Sequence, residues 1–234
     1  MGDGYISFLC NFVAEMENLR LAICKEAVNQ LPPVQYNGGI QVIDTIDKAR
    51  VALRELTRAR MVGFDTETRP SFRKGHLHKV ALMQLATDDY CFLFRLNKLG
   101  VFDLLKDFLQ NSDVTKIGLS VHDDFQVLGR SGEIAPEGFV ELQSFVKQYA
   151  IADTSLQKIY AIVFGECISK SQRLTNWEAE ELTPQQQRYA AIDAWACLRL
   201  YRHLSEGNFD PSDSQYILPD PPAEQQEVAN SEQK

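Results

Sequence analysis

The 234-residue chain lacks the features that would place it in several large classes of protein. It has no unbroken apolar run of about 18 residues, so no membrane-spanning helix is expected. Its five cysteines (Cys10, Cys24, Cys91, Cys167, Cys197) are scattered, odd in number and nowhere spaced C-x-x-C. That argues against a disulfide framework or a structural zinc site and makes a reducing cytoplasm the expected compartment. The opening MGDGYISFLCNFVAEME has an apolar patch but no positively charged start, so it is not read as a secretory signal. No internal repeat is visible. Positive charge is scarce: 24 Lys and Arg stand against 32 Asp and Glu, a formal charge of −8. What remains is 44% apolar and 24% charged, the composition of a globular chain long enough to bury a core.

A negative total is awkward for a protein that grips phosphates. The imbalance is uneven. Residues 207–234 hold six acids and one base, whereas the other 206 hold 26 acids and 23 bases. If four of those acids held two divalent cations, the body would move from −3 to about +1. The acidic total therefore does not exclude a nucleic-acid substrate.

Periodicity divides the chain into three parts. Residues 1–36 read as an N-terminal helical extension, with Phe8, Phe12, Met16, Leu19 and Ile23 on one face up to Leu31-Pro32-Pro33. Residues 37–206 read as one α/β domain. Strands are expected at Ile40–Ile43, Met61–Thr68, Val80–Thr87, Tyr90–Arg95, Thr115–Ser120 and Val140–Leu142. Helices are expected at Thr45–Arg60, Val101–Gln110, Asp124–Gly129 and from Asp153, read as a cap, to Phe164. A last long helix has Thr183 as N-cap, Pro184 in the first turn and Gln186 completing a capping box. Residues 207–234, with four of the nine prolines, read as an acidic and mostly disordered tail.

Three segments carry candidate chemistry. In Met61–Glu67 the two-residue period of a strand puts Asp65 and Glu67 on one face, where only a cation or a proton relieves their repulsion. Hard oxygen ligands suit Mg²⁺ or Mn²⁺. The D-x-E triplet alone is weak, since about one is expected by chance in ordinary composition. On the last helix Tyr189 and Asp193 are four apart and share a face among alanines, where a carboxylate needs a partner or a metal. Asp123 and Asp124 stand at a strand-to-helix turn, one expected to cap the helix and the other free to ligate. Trp177 and Trp195 read as core, and the histidines show no ligand spacing.

Together these segments resemble the 3′–5′ exonucleases of the DnaQ-like superfamily, in the branch with a catalytic tyrosine that includes ribonuclease D and the Werner-type exonuclease domain. The likeness runs from Ile40 to Leu204 and includes Asn176-Trp177, Leu182-Thr183, Gln187 and Tyr189-Ala190-Ala191 beyond the acids. It implies a ribonuclease H-like mixed sheet flanked by helices. It places the third acid on Asp124, before Phe125-Gln126, and implies that Asp65, Glu67, Asp124 and Asp193 hold two Mg²⁺ or Mn²⁺ ions. In this picture Asp65 bridges both ions, and Tyr189 orients the attacking water. Relatives with a catalytic histidine carry it five residues before the last Asp, where this chain has Arg188. The implied partner is single-stranded or 3′-ended nucleic acid, DNA or RNA. Thr66, Arg73, Lys170 and Arg173 are the candidate substrate contacts, with Lys74 beside Arg73. Ribonuclease D proper continues into helical nucleic-acid-binding domains, whereas this sequence runs into acidic residues. Two other readings stay open: a nuclease fold that binds without cleaving, and a scaffold using the two flanking segments.

Overall fold

The computed structural model describes residues 19–71, 78–129 and 135–218. In chain order the elements are α1 (Lys25–Val28), β1 (Gly39–Ile43), α2 (Ile46–Arg58), β2 (Met61–Thr68), β3 (Val80–Ala86), β4 (Tyr90–Phe94), α3 (Leu96–Leu99) and α4 (Asp103–Leu109). There follow β5 (Thr115–Gly118), α5 (Val121–Gly129), β6 (Phe139–Glu141), α6 (Leu142–Phe145), α7 (Leu156–Phe164) and α8 (Pro184–Ser205). The strands form one sheet in the order β1-β4-β3-β2-β5-β6. The β2–β3 and β3–β4 pairs are antiparallel; β1–β4, β2–β5 and β5–β6 are parallel. This is the mixed α/β sheet expected from the sequence.

Alternation along the strands sorts side chains into two cores. Leu82, Ala86, Cys91, Leu93 and Ile117 pack with α7 and α8 on one face. Val62, Phe64, Val80, Met83, Leu85, Phe92 and Phe94 pack with α2, α4 and α5 on the other. With both faces covered, β3 is buried along its whole length, which explains why every side chain on it but Gln84 is apolar. Lys116 is also fully buried on β5. Its Nζ donates to the carbonyls of Asn111 (2.5 Å) and Phe108 (3.4 Å), lies over the Phe139 ring, and is pulled down to about pKa 8 by desolvation. The ammonium thus satisfies the carbonyl end of α4.

The approach of α8 to β2 rests on one missing atom. A Cβ at Gly63 would stand 1.9 Å from the carbonyl oxygen of Ala194. Glycine at 63 and the buried alanines 190, 191 and 194 let helix and strand backbones come together.

Three expectations need correction. The described part of the first segment, residues 19–36, is mostly irregular. Leu21 bridges Ile151 and Ile217, its N–H donating to the Ala150 carbonyl, and only Lys25–Val28 is α-helical. The helical spacing of Leu19 and Ile23 is overridden by long-range hydrogen bonds, Leu21 pairing with distant backbone and the Ile23 N–H donating to the Asp153 carboxylate, and the side chains of Leu21 and Ile23 are buried. Residues 207–218 are built onto the domain: Pro211 is buried, and the Leu218 N–H donates to the Arg20 carbonyl. Residues 219–234 lie outside the described residues. Asp153 does not cap α7, which starts after Ser155. Its carboxylate instead accepts from the Ile23 N–H (2.9 Å) and the Lys158 ammonium (2.7 Å). The other elements agree with the sequence within a few residues, and no described helix is long and apolar enough to cross a membrane.

Replacing Gly63 by alanine forces α8 off β2. We expect Gly63→Ala to destabilise the fold by about 2 kcal/mol or more, read as a fall in the midpoint of urea unfolding.

Candidate active site

The site forms where the end of β2 meets α8. Gly63, Asp65 and Glu67 share the α8 face of β2, and Asp193 descends from the helix. One carboxylate oxygen from each of Asp65, Glu67 and Asp193 lies within 4.8 Å of the other two. The register of α8 is set at its start, where Thr183 Oγ1 accepts from the Gln186 N–H (3.2 Å) and Gln186 Oε1 accepts from the Thr183 N–H (3.0 Å). This is the capping box expected from the sequence. Before it, buried Arg95 donates to the carbonyls of Ala179 and Glu180 and pins the connection. Trp177 is fully buried, its ring 6.0 Å from that of Tyr189. Tyr189 stands one turn ahead of Asp193, and its hydroxyl favours the ionised form of that carboxylate. Trp195 is half-buried against Tyr36 and Arg199.

Asp124 arrives differently. The expectation that Asp123 or Asp124 caps its helix is overturned: α5 begins at Val121, so both acids lie inside its first turn. The cap comes from β6. The Glu141 carboxylate accepts from the N–H groups of Ser120 (3.0 Å) and Val121 (2.8 Å), and Gln143 Nε2 donates to Ser120 Oγ (3.0 Å). Ser120 sits at φ 61°, a costly conformation for a residue with a Cβ, held by this network. Glu141 is the functional neighbour that sequence reading missed; its 20-residue separation from Val121 left no local signal. Asp124 is not one of the three clustered acids. Its Oδ1 instead accepts from Thr66 Oγ1 at 2.5 Å. The Thr66 backbone N–H favours the ionised form of Asp65, so this one residue acts on two acids from between Asp65 and Glu67.

The cluster is short of countercharge. Among the described residues none of the four acids forms an ion pair with Lys or Arg. Desolvation, then repulsion from Asp193, Glu67 and Asp124, raises Asp65 well above the carboxylate range. Burial and repulsion from Asp193 and Asp124 push Glu67 up to about 9; burial lifts Asp124 and Asp193 to about 7. Burial and the neighbouring acids raise the Tyr189 phenol. Two predicted substrate contacts lie within electrostatic reach: Lys170 favours ionised Asp193, and Arg173 favours ionised Glu67. Arg73 and Lys74 lie outside the described residues. Hard oxygens converging from a strand and a helix, costly to charge without help, fit a divalent cation.

Two outcomes follow. In the metal-free protein these raised groups retain protons that the unfolded chain has released. Their contribution to stability is complete below about pH 4 and is lost as pH rises through about 7 to 9. The lowered carboxyl groups, Asp44, Glu180 and Asp210, act below the ordinary carboxylate range, and Lys116, pulled down to about 8, adds stability with rising pH only from about there upward. The melting temperature without metal should therefore fall between about pH 5.5 and pH 7.5. Added Mn²⁺ should restore it more at the higher pH; an equal effect at both would contradict the assignment. Glu141→Ala removes the cap of α5 and should cost about 1–2 kcal/mol in chemical denaturation.

A sequence profile of the 3′-5′ exonuclease family matches residues 40–207. The mouse bifunctional 3′-5′ exonuclease/ATP-dependent helicase WRN is 35% identical over 150 residues, which cover 62% of this chain and 11% of that protein. A 3′-5′ exonuclease of Arabidopsis thaliana is 29% identical over 205 residues, 80% of this chain and 70% of its own. The fold is shared with the Nibbler EXO domain of Aedes aegypti (TM-score 0.63, 24% identity, 74% of this chain and 92% of that one). It is shared too with Escherichia coli RNase D (TM-score 0.64, 23% identity, 72% and 44%). The matched region holds β1 to α8 and with them the acids of the site, and the chain belongs to the 3′-5′ exonuclease family.

Proposed function

We propose that the protein is an active, metal-dependent 3′–5′ exonuclease of the catalytic-tyrosine branch. It would hydrolyse the terminal phosphodiester of a single-stranded or 3′-ended nucleic acid and release nucleoside 5′-monophosphates. The observation that carries this is the convergence of Asp65, Glu67 and Asp193 within 4.8 Å, Asp193 buried and the other two half-buried, without a basic partner among the described residues. Solved relatives add support: Trypanosoma brucei RNase D has a structure in complex with RNA U12, and Brucella melitensis NrnC one bound to pGG. The free thiols of Cys24, Cys91, Cys167 and Cys197 are in keeping with a reducing, cytoplasmic setting.

In this reading Asp65, Glu67 and Asp193 hold the metal, with Asp124 beside them. Two bound divalent ions would lower the pKa of water and offset charge on the phosphate. The water oxygen joins phosphorus, the bond to the 3′ oxygen breaks, and that oxygen leaves with a proton. Tyr189 stays protonated at neutral pH because its burial and its acidic neighbours oppose the phenolate. It therefore orients an oxygen by donating a hydrogen bond and does not act as a general base. Thr66 holds Asp124 in place and favours ionised Asp65. Lys170 and Arg173, both exposed at the mouth, meet the phosphates of the strand. The intact set of acids weighs against a fold that binds without cleaving.

The test is degradation of DNA and RNA oligonucleotides labelled at the 5′ end, with Mg²⁺, Mn²⁺ or chelator. A ladder shortening from the 3′ end, abolished by chelator and by Asp65→Ala, is expected. Tyr189→Phe should lower turnover roughly 10²-fold while Mn²⁺ affinity stays near that of the parent. No cleavage by the parent protein of either nucleic acid with either metal would leave the binding-only reading.

A further inference from the structure

Gln84 stands on β3 with none of its surface exposed, and among the described residues neither its Oε1 nor its Nε2 has a hydrogen-bond partner. Its cross-strand partner on β2 is Asp65. Residues directly opposed in an antiparallel pair project from the same face. The neighbours agree: Leu82 and Ala86, two residues to either side, lie in the core under α8, whereas Met83 and Leu85 lie in the opposite one. The amide is thus enclosed between sheet and helix, next to the most crowded carboxylate of the site. Every other side chain of β3 is apolar. Leucine or methionine would fill the same space without orphaning two polar atoms, and buried polar groups left unpaired are uncommon and costly. Packing therefore gives no account of a glutamine here.

We propose that Gln84 is a positioning residue for Asp65. Its Nε2–H donates to the ionised Asp65 carboxylate and fixes which oxygen that group turns toward a divalent cation, the role outer hydrogen bonds play at metal centres. The donor adds to the Thr66 backbone N–H, which also favours ionised Asp65. This inference rests on the metal-dependent reading above.

The experiment compares the parent with Gln84→Met, similar in length and without polar hydrogens, in two measurements. Melting of the metal-free variant should occur at the parent's temperature or a few degrees above it, because two unpaired atoms are gone. Mn²⁺ binding measured by calorimetry should weaken about 10- to 100-fold. Turnover on a labelled oligonucleotide should fall by a similar factor with KM unchanged. A stabilised variant with parental Mn²⁺ affinity and turnover would overturn the proposal and leave the amide a purely structural feature. Should Gln84→Met not fold, Gln84→Asn, which withdraws the amide by one methylene, takes its place with the same expectation for Mn²⁺. A parent protein that itself takes up no Mn²⁺ would sink the metal reading, an outcome distinct from parent and variant binding equally well.

Discussion

The close contact between α8 and β2 is the constraint on which the site depends. Strand and helix backbones meet at Gly63 and Ala194, where no side-chain atom could be inserted without moving one of them. That distance decides whether Asp193 reaches the oxygens of Asp65 and Glu67. A wider gap would leave three separate acids, each free to stay ionised in water. The small residues along α8 (Ala190, Ala191, Ala194, Cys197) serve the same end, and their burial supplies the apolar energy that holds the two elements together.

The contact also creates the site's central tension. Acids brought this near in a desolvated corner repel one another, and the surrounding residues do not neutralise them. Lys170 and Arg173 act from exposed positions, and solvent screens much of their field. Hydrogen bonds hold Asp124 in place, from Thr66 and through Glu141 at the start of its helix, while the Thr66 N–H and the Tyr189 hydroxyl favour ionised Asp65 and Asp193. Hydrogen bonds keep like charges together here, with no basic side chain paired to them among the described residues.

Much of this is legible in the amino-acid sequence. The strand period put Asp65 and Glu67 on one face, the helical period put Tyr189 and Asp193 one turn apart, and the box at Thr183 and Gln186 marked the start of α8 to the residue. These are relations among residues a few positions apart, governed by backbone geometry that survives in any tertiary setting. The readings that failed depended on distant partners. Leu19 to Ile23 had helical spacing, but Leu21 pairs with Ile151 and Ile217. Asp123, Asp124 and Asp153 looked like caps, but Glu141 supplies the cap of α5, and Asp153 is taken by Ile23 and Lys158.

The amino-acid sequence on its own therefore determined the order of elements, the faces on which the acids lie and the family signature they form, because each of these follows from local periodicity and residue type. Tertiary structure alone decided that three of the four acids converge while the fourth is held by Thr66, that Glu141 caps α5, and that Gln84 lies opposite Asp65. Those relations come from the register of the sheet and the depth of one helix–strand contact, which bring together residues that no short-range rule connects.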